Sequence, residues 1–204
     1  MQKFRIYLFL LAALIFGSVN AKESTVLVVG DSLSAGYGID IKQGWVALLE
    51  TEMAKKHQLK WINASVSGET TSGGKTRLDQ LLKTHQPDYV ILELGGNDGL
   101  RGQPLNLIRN NLQSMIDRIH QQEAKILLLG MQIPPNYGAR YTQSFTKMYP
   151  DLANKNKLLW VPFLLEGVAT NPSLMQNDGI HPTAEGQPSV MENVKPYFEK
   201  LLEN

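Results

Sequence analysis

Four aliphatic residues, Val26-Leu27-Val28-Val29, run directly into Gly30-Asp31-Ser32-Leu33-Ser34. A short, continuous apolar run ended by glycine reads as a strand buried on both faces, which is the habit of parallel sheets sandwiched between helices. The glycine is expected to let the chain turn sharply at the strand end. Ser32 then falls just beyond the carboxyl end of the strand, where open α/β sheets place their ligands. On this stretch alone Ser32 has three readings: a nucleophile, a phosphate contact or a helix cap, since Ser and Asp are both favoured N-caps.

The pattern repeats along the chain. Strands are predicted at residues 60–65, 89–92, 125–129 and 158–161. Helices are predicted between them, at residues 44–57, about 75–83 and 141–155. A further helix opens at Pro104 and carries Leu105, Ile108, Leu112, Met115, Ile116 and Ile119 on one stripe. Residues 67–74, 133–138 and 177–182 read as loops, and residues 163–168 as a helical turn or two. Thr183 is placed as the cap of a last helix carrying Val190, Val194, Phe198 and Leu201, with an irregular start imposed by Gly186 and Pro188. Alternating strands and helices argue for an α/β fold, one parallel sheet of about five strands with helices on both faces. The strand order expected is the flavodoxin-like 2-1-3-4-5.

Composition excludes several functions. The chain has 204 residues and no cysteine, so disulfides, a thiol nucleophile, thiolate metal sites and a lipidated N-terminal Cys are all ruled out. Lys3 and Arg5 precede an apolar run from Ile6 to Phe16, followed by the small-residue site Val19-Asn20-Ala21. That is the layout of a secretory signal, and the run is too short to span a bilayer comfortably. Residues 1–21 are therefore expected to be removed and residues 22–204 to form one domain, periplasmic or secreted, without a stable membrane anchor. Removal takes two bases and no acid, lowering the formal charge from +1 by two, to −1. A near-neutral chain has no electrostatic footprint for nucleic acid.

The unusual polar residues gather at one edge. Ser32 follows the first strand, Gly68 the second and Asn97 the third, and a parallel sheet brings those three ends together. Asp178 and His181 lie in the loop before the last helix. Ester hydrolysis requires such parts. A serine hydroxyl needs an adjacent base, here His181, and the base needs a partner that fixes its tautomer, here Asp178. The developing oxyanion needs donors in place, which the Ser32 and Gly68 N–H groups and the Asn97 amide would supply. Each residue also has a plainer reading: a loop histidine, a turn glycine, an Asx-turn asparagine. Asp31 is expected to hydrogen-bond the backbone of the tight turn. His57, His85 and His120 fall at helix C-termini, where a histidine is favourable.

Two other chemistries fail on spacing. Gly68 to Thr76 has one residue too many for the phosphate-cradling Walker loop. Asp178 and His181 give two metal ligands where about three are needed, so neither metal nor cofactor is expected.

With these residues in hand, the chain resembles the SGNH, or Gly-Asp-Ser-Leu, hydrolase family. Its four blocks are matched in order by Gly30-Asp31-Ser32-Leu33-Ser34, Gly68, Gly95-Gly96-Asn97-Asp98 and Asp178-Gly179-Ile180-His181-Pro182. Residues 34–38, 99–102 and 134–138 carry a closer likeness to its bacterial periplasmic thioesterase, lysophospholipase and arylesterase members. The resemblance implies a three-layer α/β/α monomer. It implies Ser32 as nucleophile, His181 as base, Asp178 as its partner, and an oxyanion hole of Ser32, Gly68 and Asn97. It implies hydrolysis of acyl esters and thioesters, including lysophospholipids and aryl esters. Residues 99–104 resemble the mobile loop that covers the acyl chain in that group. The chain departs from the family pattern at Thr183-Ala184-Glu185-Gly186.

Leu33, Leu100, Ile133, Tyr137 and Phe163, near the expected site edge, suit an acyl chain. A second reading keeps the enzyme and changes the substrate, to the O-acetyl groups of a polysaccharide or peptidoglycan, which would call for an open polar groove. A third is a non-catalytic binding module on the same fold.

Overall fold

The computed structural model describes residues 23–204. The expected signal segment, residues 1–21, lies outside the described residues. Five parallel strands, β1 (Ser24–Gly30), β2 (Leu59–Asn63), β3 (Tyr89–Glu93), β4 (Lys125–Leu129) and β5 (Leu159–Val161), form one sheet in the order β2-β1-β3-β4-β5. The α-helices are α1 (Ser32–Ala35), α2 (Trp45–Met53), α3 (Thr71–His85), α4 (Gly96–Leu100), α5 (Leu105–His120), α6 (Ala139–Asn156) and α7 (Gln187–Glu203). Packing of α2 on α7, and of α3 and α6 on α5, gives one helical layer on each side of the sheet. The expected α/β/α architecture and strand order are both observed.

The central strands are the most apolar because helices cover both of their faces. Val26 to Val29, Val90 to Leu92 and Leu127 to Leu129 have no exposed surface. The helices contribute Trp45, Phe145, Tyr149 and Phe198 to the two cores, each buried to 1% exposure or less. Full burial of side chains of this size contributes roughly 1.5–3 kcal/mol each.

Register positions the site. Gly30 at the end of β1 pairs with Glu93 at the end of β3, so α1 and α4 leave the sheet side by side. Beyond β2 the chain keeps following β1: the Ala64 N–H donates to the Val28 carbonyl at 2.9 Å and the Val66 N–H to the Gly30 carbonyl at 3.0 Å. That pairing delivers Gly68 beside Ser32.

Several predicted boundaries move. Helix α3 begins at Thr71, inside the stretch read as loop, because the Thr70 hydroxyl caps it by accepting from the Gly73 N–H. A short helix, α4, stands where the sequence shows only glycines and polar residues. Helix α2 stops at Met53, and His57 lies in the turns beyond it, whereas His85 and His120 do end their helices. Residues 164–170 are turns, not helix. Thr183 does not cap α7 through its side chain; it precedes a 3-10 turn at Ala184–Gly186, and Pro188 fits the first turn of α7, where its missing N–H costs nothing. Among the described residues no helix is long and apolar enough to cross a membrane.

Candidate active site

Ser32 is the first residue of α1. Asp31 caps that helix, its Oδ1 accepting from the Leu33 N–H at 3.0 Å. Capping by Asp31 leaves the Ser32 side chain free of the capping task and turns it toward the loop before α7. That loop is closed by an antiparallel bridge between Met175 and Pro182 and by the Gln176 N–H donating to the His181 carbonyl at 2.7 Å. At its tip Asp178 Oδ1 accepts from the Ile180 and His181 N–H groups at 2.9 and 3.0 Å. The other oxygen is left for the imidazole: Asp178 Oδ2 lies 2.6 Å from His181 Nδ1, and His181 Nε2 lies 2.7 Å from Ser32 Oγ. Hydroxyl, ring and carboxylate are in one hydrogen-bonded line across 149 residues of sequence.

The electrostatics fit that line. Partial burial opposes ionisation of Asp178, but hydrogen bonds from the His181 ring and from the His181 and Ile180 amides outweigh it and bring the carboxyl down to about 2. Asp178 is thus a fixed anion at neutral pH. It holds Nδ1 as the N–H donor and leaves Nε2 to accept the serine proton.

The three expected oxyanion donors lie on the wall of the same cavity. Ser32, Gly68 and Asn97 all line one cavity, together with His181. Among the described residues neither the Ser32 nor the Gly68 N–H has an acceptor. Gly68 holds a positive φ of 77°, and a Cβ there would meet only an Arg101 nitrogen at 3.9 Å. Backbone conformation, not close approach, therefore explains this glycine. The reverse holds at Gly30, read from sequence as a turn glycine. It is the last residue of β1, and an added Cβ would lie 2.6 Å from Glu93 Oε2 and 2.8 Å from Ser34 Cβ.

The cavity has a volume of about 500 Å³. Leu33, Leu100, Ile133 and Phe163 line it as expected. Tyr137 does not; its hydroxyl instead donates to the Leu100 carbonyl at 2.8 Å, tying the end of α4 to the loop before α6. Met131, Leu165, Met175 and Ile180 add to the apolar lining, and none of them was singled out from the sequence as a cavity residue. A mostly apolar cavity of this size accepts an acyl chain, not a polar sugar.

Asp31 hydrogen-bonds the turn backbone as expected, but two further contacts escaped sequence reasoning. Asp31 has a second task, because its Oδ2 accepts from the Asn97 amide at 3.1 Å. Gln176 donates its side-chain amide to the Tyr37 and Pro182 carbonyls at 2.8 and 3.0 Å, joining the segment after α1 to the histidine loop. Nothing in local sequence marks either contact. Only the Asp beside Ser32 offered a hint.

Comparison with known proteins gives the family. Residues 28–187 match the GDSL-like lipase/acylhydrolase family model. The chain is 47% identical over 191 residues to Esterase TesA of Pseudomonas aeruginosa, covering 93% of this chain and 95% of that protein. It is 40% identical over 182 residues to the thioesterase 1/protease 1/lysophospholipase L1 of Escherichia coli strain K12, covering 89% and 86%. The crystal structure of the psychrotrophic esterase EstA from Pseudoalteromonas sp., inhibited by monoethylphosphonate, matches with a TM-score of 0.85 at 38% identity, over 89% of this chain and 100% of that one. The chain belongs to the GDSL-like lipase/acylhydrolase family.

Proposed function

We propose that this protein hydrolyses single-chain acyl esters and thioesters through an acyl-enzyme on Ser32. The observation that carries the reading is the 2.7 Å contact between Ser32 Oγ and His181 Nε2 at the wall of the apolar cavity. The chain is a carboxylic ester hydrolase, and lysophospholipids and acyl thioesters fit both the apolar cavity and the activities after which its relatives are named.

The acyl chain enters the cavity and its carbonyl carbon meets Ser32 Oγ. His181 Nε2 takes the hydroxyl proton as the C–O bond forms, and Asp178 stabilises the resulting imidazolium. The carbonyl oxygen becomes an oxyanion held by the Ser32 and Gly68 N–H groups and the Asn97 amide. Collapse expels the alcohol or thiol, which takes the proton from His181. Water then enters, His181 removes its proton, and a second oxyanion collapses to free the carboxylic acid and restore Ser32 Oγ–H.

The N-terminal charge and hydropathy pattern of residues 1–21 supports an exported domain at 22–204 that works in the periplasm or outside the cell, and the family resemblance supports a monomer. The deacetylase reading calls for an open polar groove, and the Leu, Ile, Met and Phe lining disfavours it. The binding-module reading has no use for a hydroxyl, imidazole and carboxylate in line.

The test is p-nitrophenyl ester turnover by the purified protein and by Ser32→Ala. Turnover is expected only in the unsubstituted protein, with a fluorophosphonate probe labelling Ser32. Equal turnover by folded Ser32→Ala overturns the reading. A strong preference for acetyl over octanoyl esters would favour the deacetylase.

A further inference from the structure

Glu93 ends β3, has no exposed surface, and takes no part in the hydrolysis described above. Its Oε2 accepts from the Asp31 N–H at 3.0 Å and from the Ser34 hydroxyl at 2.7 Å. Among the described residues, its buried Oε1 has no donor within reach. An ionised oxygen stranded in the interior is strongly unfavourable. A proton on Glu93 removes that penalty, and the side chains of Glu93 and Asp31 are hydrogen-bond partners. Asp31 Oδ2 in turn accepts from the Asn97 amide at 3.1 Å. The contacts run Glu93, Asp31, Asn97 and end on an amide at the cavity wall.

We propose that Glu93 is a positioning residue for ester hydrolysis: it remains a neutral acid, donates its proton to Asp31, and through Asp31 fixes the Asn97 amide that receives the oxyanion. The proposal rests on the role given to Asn97 above.

The physical case is one of charge and shape. Two ionised carboxyls in one buried site repel, so a single shared proton is the stable state. Burial drives Glu93 well above the ordinary carboxyl range, and the adjacent Asp31 charge drives it further. The other ionisable groups that interact with this pair are His181, whose charge acts on Asp31, and Tyr149 on α6, whose hydroxyl bonds the Leu94 carbonyl at 3.0 Å and is itself held neutral by burial and by the two carboxyls. Neither is a lysine or an arginine that would hold both carboxyls ionised. With the proton in place a single negative charge, on Asp31, stands behind Asn97. It draws the amide N–H while adding no second charge next to the forming oxyanion. Gly30 makes the arrangement possible, since any side chain there would collide with Glu93 Oε2.

The first test does not depend on activity. An infrared difference spectrum, unsubstituted protein minus Glu93→Gln at pH 7, is expected to show the carbonyl stretch of an un-ionised carboxylic acid. Carboxylate bands in its place overturn the proposal. The second test is kinetic. Glutamine presents an amide N–H to Asp31 and an oxygen to Ser34, so Glu93→Gln is expected to hold kcat within ~3-fold, whereas Glu93→Met, which makes neither contact, loses roughly 10- to 100-fold in kcat with KM nearly unchanged. In an Asn97→Ala background the difference between the Gln and Met variants is expected to vanish. Equal large losses in both single variants, or a folded Glu93→Met with full kcat, overturn the proposal. If Glu93→Met does not fold, the infrared band and the Glu93→Gln rate decide. Failure here with Ser32 still essential leaves the hydrolase reading standing; full activity in Ser32→Ala sinks that reading instead.

Discussion

The side-chain amide of Gln176 donates to the backbone carbonyl of Tyr37 at 2.8 Å, and its other contact, to the Pro182 carbonyl, lies one residue beyond His181. One amide thus fastens the segment that follows Ser32 to the loop that carries the base. The Tyr37 ring also packs on the His181 ring, with centroids 4.6 Å apart and planes tilted by 40°. The distance between nucleophile and base is held by these cross-links, not by either loop alone.

Gln176→Ala removes the fastening and leaves two carbonyls to solvent. It is expected to lower kcat about 10-fold, as expected when a reacting pair is misplaced by less than an ångström, while lowering stability by about 1 kcal/mol. Steady-state kinetics and urea unfolding separate the two effects. An unchanged kcat would show that the loops hold their spacing without it.

Asn97→Ala removes one of the three proposed oxyanion donors. The expected loss is roughly 10²- to 10³-fold in kcat, with little change in KM, because the interaction forms only when the oxygen becomes charged. A change confined to KM would mean that Asn97 binds the ground state.

Asp178→Asn leaves room for the same geometry but favours the wrong imidazole tautomer. The expected loss in kcat is on the order of 10⁴-fold, as for the equivalent change in a serine protease triad. The carboxyl lies at about 2 in the folded chain against 3.8 for a free aspartate, so its stabilising contribution is complete above about 4 and is lost as pH falls toward 2. Urea unfolding at pH 7 and at pH 2 is expected to show a stability gap between the two proteins that closes at the lower pH.

Asp31 has the opposite sign. Burial raises its carboxyl to about 6, against the pull of hydrogen bonds from Leu33 and Asn97 and of the His181 charge. Between 3.8 and about 6 the folded chain holds a proton that the unfolded chain has released, so this group makes stability fall as pH rises through that window. Asp31→Asn is expected to flatten the decline. Thermal unfolding measured at pH 4 and at pH 7 checks it, and an identical pH slope in both proteins would contradict it.

Tyr137→Phe deletes the tie from the loop before α6 to the Leu100 carbonyl, and Tyr141, whose hydroxyl donates to the Gln103 carbonyl at 2.6 Å, remains to hold the rest of that segment. Leu100 lines the cavity. The expected result is a rise of about 3-fold in KM for octanoyl esters, with acetyl esters unaffected, since only a longer chain reaches the freed wall. Equal change for both esters would place Tyr137 closer to the chemistry.

The amino-acid sequence by itself determined the strands, their order and the identity of the polar residues at the sheet edge. Buried parallel strands must be continuous apolar runs, and Val26 to Val29, Val90 to Leu92 and Leu127 to Leu129 announce themselves. Ser32, Gly68 and Asn97 were legible because each follows such a strand, and Asp178 and His181 because they stand three residues apart in the polar loop before the last helix. Helix α4 and the early start of α3 were not, because glycine and threonine carry weak local preference and the packing decides. Tertiary structure alone decided what Asp31, Glu93, Gln176 and Gly30 do. Their distant partners lie 59 to 139 residues away or across a strand pair. A hydrogen bond or a steric limit between such residues comes into being only when the sheet brings its strand ends to one edge.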